Sequence, residues 1–179
     1  ADAIVTNGAG NFAAWLHRFY RHRACRTQLA PTSGAMGYGW PAALAAKAVH
    51  PDHEVICVAG DGDFMMTGQE MATAVQHGLN PVVIVVDNST YGTIRMHQEG
   101  HYPGAERVIA TDLKNPDFVK WAEAFGAFGV CCETTEDFAG ALETARREAR
   151  EQGVPALIHL ITSAEDIAPN RTISGMRGG

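Results

Sequence analysis

Two short segments hold residue types whose spacing could do chemistry. One is Gly60-Asp61-Gly62-Asp63-Phe64; the other is Asp87-Asn88-Ser89-Thr90-Tyr91-Gly92. Each directly follows an apolar run, EVICVA (54–59) or PVVIVV (81–86). Asp61 offers a carboxylate and Asn88 an amide oxygen. The irregular chain after Asn88 can turn a carbonyl inward at Thr90. Such hard oxygen donors suit Mg²⁺, which takes one or two protein oxygens and shares the rest of its octahedron with water and phosphate oxygens. Gly60 and Gly62 remove side chains where a backbone would approach a phosphate closely. The acidic residues sharpen the reading. Asp61, Asp63 and Asp87 would repel a bare phosphate, so the cluster favours a cation between protein and phosphate. Either segment alone reads better as a turn after a strand. Two of them on consecutive strands argue for a site.

The elements around these segments explain how they could meet. Apolar runs alternate with helical patterns, the signature of βαβ units and a mostly parallel sheet. Strands are expected at 3–6, 54–59, 81–86, 128–132 and 155–162, and helices at 10–20, 38–48, 67–78, 92–99, 115–126 and 135–153. Asn115 is the expected cap of the helix that follows it. Parallel strands would bring both segments out at their carboxyl ends, where open α/β sheets bind ligands. Asp61 and Asn88, 27 positions apart, become neighbours in that topology. The helix beginning near Thr67 would add its N-terminal field. The expected fold is α/β: one three-layer domain over 1–179, a mostly parallel sheet between helices. Residues 163–179, polar and glycine-rich, read as a C-terminal arm or a disordered tail.

Composition is that of a globular protein, 46% hydrophobic and 19% charged, with a net charge of −6. No apolar run approaches the roughly 20 residues of a membrane span, and no signal peptide opens the chain. Four cysteines, Cys25, Cys57, Cys131 and Cys132, form no CxxC pair, which disfavours zinc. Cys57 reads as a buried reduced thiol, and a cytoplasmic location is the default. Residues 1–50 carry Arg18, Arg21, Arg23, Arg26 and Lys47 against Asp2 alone. That stretch reads as a solvated helix end or a contact with a further domain rather than a nucleic-acid surface. The absence of an initiator Met suggests a piece of a longer polypeptide, or processing.

A competing reading is a dinucleotide-binding domain. Gly8-Ala9-Gly10-Asn11-Phe12-Ala13 fits G-x-G-x-x-A between a strand and a helix. That motif wants an acidic residue about 20 positions later, and none lies between Asp2 and Asp52. Arg23 or Arg26 could serve the phosphate of NADP, but Asp61 and Asn88 would stay unexplained.

GDGDF followed by DNSTYG resembles the shared motif of thiamine-diphosphate-dependent enzymes. TSGAMGYGWPAALAAK (32–47), MMTGQEMATAVQHG (65–78) and NPDFVKWAEAFGA (115–127) are similar to the acetolactate synthase-like branch, which includes decarboxylases, lyases and carboligases. The likeness runs along nearly the whole chain, as that branch's C-terminal diphosphate-binding domain. It implies thiamine diphosphate and Mg²⁺ as cofactors, with Asp61, Asn88 and the Thr90 carbonyl on the metal. It implies that Gly60, Gly62 and Asp63 lie beside the diphosphate, with the loop of Gly10, Asn11 and Phe12 near it. Gly34 would accept the aminopyrimidine amino group on its carbonyl. Met36 would hold the cofactor bent, and Tyr91, Gly92 and Thr93 would line the cleft. The activating Glu of such enzymes lies on a pyrimidine-binding domain, from the same or another subunit, that no segment here resembles. Glu70 matches a scaffold position instead.

The resemblance therefore implies a homo-oligomer, a small carbonyl substrate such as a 2-oxo acid, and a chain inactive by itself. An apolar partner face is expected around Met36, Tyr38 and Trp40. Three positions depart from the family. Asp63 stands where many relatives have Ser, Asp87 where the first Asn of a pair is usual, and His97 where acetolactate synthases carry Trp. His97 and His101 read as exposed. Two other organisations stay open: a natural separate subunit, as in two-subunit sulfopyruvate decarboxylases or 2-oxoacid oxidoreductases, and a binding module that has lost activity.

Overall fold

The computed structural model describes residues 3–102 and 108–177. The apolar runs form β1 (Ile4–Asn7), β3 (Val55–Gly60), β4 (Val82–Asp87), β5 (Phe128–Cys132) and β6 (Ala156–Ile161), joined by a two-residue β2 (Gln28–Leu29). All six pair in parallel, in the order β2-β1-β3-β4-β6-β5. From β1 the chain goes outward to β2 and then back past β1 to β3. The sheet order reverses at β1/β3, which is where open α/β sheets leave a crevice beyond their strand ends.

Alternation along the strands buries both faces. Val55, Cys57 and Ala59 face a core shared with α2 (Gly39–Val49), α4 (Met71–Gln76) and α6 (Phe118–Ala124), through Trp40, Leu44, Met71 and Phe118. On the other face α7 (Thr135–Gln152) lays Ala141, Ala145 and Ala149 against Val82, Ile84, Ala156 and Ile158. That four-residue spacing keeps three small side chains on one stripe, so the helix can lie close to the sheet. Thr134 starts this helix with a reciprocal capping box with Asp137, and Gly153 ends it at φ 68°. Burial pushes the Cys57 thiol up to about 12, and all four cysteines are free. Among the described residues no helix is long and apolar enough to cross a membrane.

Several expectations are corrected. The helix expected over 10–20 is shorter, α1 (Ala13–Phe19). The helix after Asn115 is capped by Asp117, whose side chain accepts from the Val119 and Lys120 amides. Asn115 is free for another role. The helix expected from Thr67 begins as a 3₁₀ turn, Gly68–Glu70, and the element at the strand end is instead the short α3 (Asp61–Phe64). Any helix N-terminal field at the site comes from there. Trp40 is 1% exposed and belongs to the core, not to a partner face, while Tyr38 and the neighbouring Met65 and Met66 are exposed. The tail is folded. After α5 (Gly92–His101), and beyond β6, it forms the hairpin β7 (Asp166–Ala168) and β8 (Arg171–Thr172), then α8 (Ile173–Arg177). Ile167 and Ile173 anchor it at 1% and 3% exposure. Residues 178 and 179 of the expected arm lie outside the described residues.

Candidate functional site

The loops after β1, β3 and β4 converge on one cleft of about 580 Å³, well within the size of small-molecule sites. Gly10, Asn11, Phe12, Met36, Gly60, Asp61, Gly62, Asp63, Asn88, Thr90, Tyr91, Gly92 and Thr93 all line it. Gly34 does not: it sits in an exposed turn at φ 67°, its amide donating to the Pro31 carbonyl at 3.2 Å. The remaining wall is mostly apolar, with Trp15, Val58, Ile84, Phe138 and Ile167 among its residues, and Thr135, Ser163 and Asp166 add polar groups. His97 and His101 are exposed on α5 and stand outside the cleft.

Asp61 begins α3 at the end of β3 and is 3% exposed. Its Oδ1 accepts the Gly62 amide at 2.8 Å and its Oδ2 the Asn115 side-chain amide at 2.8 Å. Both donors are neutral, and no cationic side chain pairs with Asp61 among the described residues. Burial raises its pKa, the two hydrogen bonds oppose that rise, and the nearby Asp87 adds to it. A carboxylate buried beside another, with lone pairs left over and no counter-ion, fits a divalent cation.

Asn88 presents its amide from the turn after β4, its Oδ1 accepting the Thr90 amide at 3.2 Å. This turn is held tightly. Ser89 sits at φ 54°, a left-handed conformation uncommon for a non-glycine residue. Its amide and hydroxyl both donate to Asp87 Oδ1, at 2.8 and 3.1 Å. A segment that the sequence reading passed over fastens the far side. Thr90 Oγ1 and the Tyr91 amide donate to the Thr111 carbonyl, and the Leu113 amide donates to the Ser89 carbonyl. The Thr90 carbonyl accepts the Gly92 amide at 2.8 Å and keeps a second lone pair.

Asp87 is satisfied from several sides. Against burial, which pushes its carboxyl up, donors from His159, Ser89 and Asn115 hold it below the usual carboxylate range. His159 Nε2 lies 2.8 Å from its Oδ2. Asp63 is also engaged. Its Oδ1 accepts the Gly37 amide at 2.6 Å, and the Ala9 and Gly60 amides add hydrogen bonds, while burial pushes its pKa up to about 6. Its carboxylate therefore ties three loops together.

The glycines are explained by side chains. A Cβ at Gly60 would stand 2.8 Å from the Phe12 ring, and one at Gly62 2.5 Å from the Tyr91 ring. Each glycine thus lets an aromatic edge close on the backbone of the turn, and both still line the cleft. Gly8 and Gly10, the pair behind the dinucleotide reading, are required by Asp63 and Phe12, whose atoms a Cβ would meet at 2.0 and 2.7 Å. Thr93 Oγ1 donates to Asn11 Oδ1 at 2.9 Å, joining the first loop to α5.

Among the described residues no group of three or more His, Cys, Asp or Glu side chains is placed to hold a metal. One carboxylate, one amide and one backbone carbonyl is a different donor set, and it is the one Mg²⁺ accepts.

Comparison with known proteins bears on the family and the fold. Residues 8–160 match the family model described as "Thiamine pyrophosphate enzyme, C-terminal TPP binding domain". An acetolactate synthase of Mycobacterium bovis is 37% identical over 170 residues, 92% of this chain and 27% of that protein. An acetolactate synthase large subunit of Parasynechococcus marenigrum is 37% identical over 149 residues, 80% of this chain and 24% of its own length. A solved structure, the thiamine diphosphate-dependent 4-hydroxybenzoylformate decarboxylase of Rhodococcus jostii RHA1, superposes with a TM-score of 0.81 at 29% identity. It covers 90% of this chain and 30% of that one. The chain thus spans about a quarter of the length of the curated relatives it matches.

Proposed function

The chain belongs to the thiamine pyrophosphate enzymes, as the C-terminal cofactor-binding domain of their acetolactate synthase-like members, and on that premise we propose that Asp61, Asn88 and the Thr90 carbonyl hold Mg²⁺ against the diphosphate. The observation that carries this reading is the buried Asp61 carboxylate. It has neutral donors on both oxygens, no cationic partner among the described residues, and a place on the same cleft as Asn88 and Thr90. Gly60, Gly62, the Asp63 backbone, Gly10, Asn11, Phe12, Tyr91, Gly92 and Thr93 form the wall beside the diphosphate. Met36 supports the cofactor's bend, and Gly34, two residues before it in the chain, offers its carbonyl to the aminopyrimidine.

When bound, thiamine diphosphate supplies a carbon nucleophile for a carbonyl and then a sink for the electron pair released. The residues of this chain bind and orient it and keep water away through the apolar wall. Asp61 is assigned to the metal and Asp63 is spent on backbone amides, while Glu70 stands outside the cleft and accepts from the Thr73 hydroxyl at 2.6 Å. The activating Glu is assigned to a pyrimidine-binding domain of the same or another subunit. The complete enzyme is a cytoplasmic homo-oligomer, at least a dimer, that decarboxylates or ligates 2-oxo acids or related carbonyl compounds. The chain alone binds cofactor weakly and turns nothing over.

The test is complementation. Pyruvate and glyoxylate incubated with this chain, Mg²⁺ and thiamine diphosphate should release CO₂ no faster than the cofactor in buffer. Supplying a pyrimidine-binding domain, in trans or by fusion, should raise the rate on some 2-oxo acid. Robust decarboxylation by the chain alone would refute the division of labour.

A further inference from the structure

Asn115 bridges the two strand-end loops on which the proposed metal ligands stand. Its Nδ2 donates to Asp61 Oδ2 and to Asp87 Oδ1, both at 2.8 Å. An amide nitrogen has two hydrogens, so both bonds can form at once. The two carboxylates it joins are unequal. Asp87 Oδ1 takes three donors, from Asn115 and from the Ser89 amide and hydroxyl, and Oδ2 takes His159. Asp61 takes one donor on each oxygen and keeps lone pairs for a cation. Asp87 is thus an anchor, and Asp61 is the group being aimed.

The anchor is stiff. The His159 ring packs edge-on against Phe118 at 5.1 Å, and Phe118 is fully buried at the start of α6. Asn115 precedes Pro116, which confines its backbone to extended conformations. It therefore approaches the strand ends from a segment pinned on both sides.

We propose that Asn115 is a positioning residue of the metal site, setting the Asp61 carboxylate at a fixed orientation by hydrogen-bonding it to the anchored Asp87. This rests on the reading of Asp61 as a Mg²⁺ ligand. Its consequence concerns metal choice. Mg²⁺ demands near-ideal octahedral geometry, whereas Ca²⁺ accepts flexible and variable ligands. A freely rotating Asp61 harms the first far more than the second.

The experiment titrates Mg²⁺ and, separately, Ca²⁺ into the full chain with excess thiamine diphosphate, by calorimetry. Wild type, Asn115→Ala, Asn115→Leu and Asp61→Ala are compared. The leucine fills the asparagine's volume without a donor, so a packing defect in the alanine variant does not decide the matter. Both Asn115 variants should lose about tenfold or more in Mg²⁺ affinity, the usual effect of removing a partner of a metal ligand. Their Ca²⁺ affinity should fall less, so that the Mg²⁺/Ca²⁺ affinity ratio drops by about fivefold or more. Equal losses for the two ions would mean general loosening and would overturn the proposal. So would unchanged Mg²⁺ binding in both Asn115 variants when Asp61→Ala binds none, and the metal assignment would then survive. If Asp61→Ala also binds Mg²⁺ normally, both readings fall together.

Discussion

Arg177, in the last turn of the C-terminal helix, grips Glu99 with two hydrogen bonds, Nε to Oε2 at 2.8 Å and Nη2 to Oε1 at 2.6 Å. Glu99 is buried on α5, whose first turn carries Gly92 and Thr93 of the cleft, and Ile167 of the same tail lines that cleft. Tail and site are therefore mechanically joined. Glu99→Gln should loosen the tail and lower the melting temperature modestly, since the Arg177 side chain is half exposed and water screens the pair. Hydrogen exchange in 166–177 should accelerate while β3 and β4 stay protected.

The same pair fixes a pH dependence. The Arg177 hydrogen bonds hold the Glu99 carboxyl below its ordinary value. A depressed carboxyl adds stability above the unfolded-state pKa, about 4.3 for Glu, and loses it as pH falls through the folded value. The melting difference between wild type and Glu99→Gln should be fully present at pH 7 and shrink below about pH 4. A difference that grows on acidification would contradict the pairing.

Two glycines should respond in opposite ways to alanine. A Cβ at Gly39 would stand 2.5 Å from the Gly8 amide nitrogen, backbone that cannot step aside. Gly39→Ala should push α2 off β1 and cost about 2 kcal/mol or more. Gly140 lies exposed inside α7 with nothing near its missing Cβ, so Gly140→Ala should stabilise by about 0.5–1 kcal/mol. Urea denaturation of both variants checks the pair, and equal shifts would be inconsistent with the packing described.

Asp87→Asn should be tolerated, because His159 can change roles. An asparagine at 87 keeps its oxygen towards Ser89 and Asn115 and turns its amide towards His159 Nε2, which must then accept a hydrogen bond rather than donate one. The expected loss is below about 1 kcal/mol. Nitrogen chemical shifts of the imidazole should report a switch from the Nε2–H to the Nδ1–H tautomer. An unchanged tautomer would place the asparagine differently.

Much of this was legible in the residues. EVICVA and PVVIVV could be little but buried strands, and the segments behind them had to emerge on one edge. The rest turned on facts that periodicity does not carry. Asn115 and Asp117 both precede a helix, and only the backbone angles decide which one caps it. Single anchors, Ile167 and Ile173, folded a tail whose polar composition suggested none. Trp40 followed a glycine that lets α2 sit against β1, which drew its ring into the core. The glycines of the Gly-Asp-Gly turn also make room for rings, Phe12 against Gly60 and Tyr91 against Gly62, a packing that no periodicity announces.

The central claim is that Asp61 holds the metal through which the diphosphate binds. Calorimetric titration of thiamine diphosphate into wild-type chain, with and without Mg²⁺, and into Asp61→Ala with Mg²⁺, tests it most directly. Wild type should bind measurably only with Mg²⁺. Asp61→Ala should show about a hundredfold weaker binding or none, with the variant still folded by far-ultraviolet circular dichroism, since loss of a desolvated charged contact costs about 2–3 kcal/mol or more. Undiminished Mg²⁺-dependent binding by Asp61→Ala, or equal binding by wild type without Mg²⁺, would contradict the account.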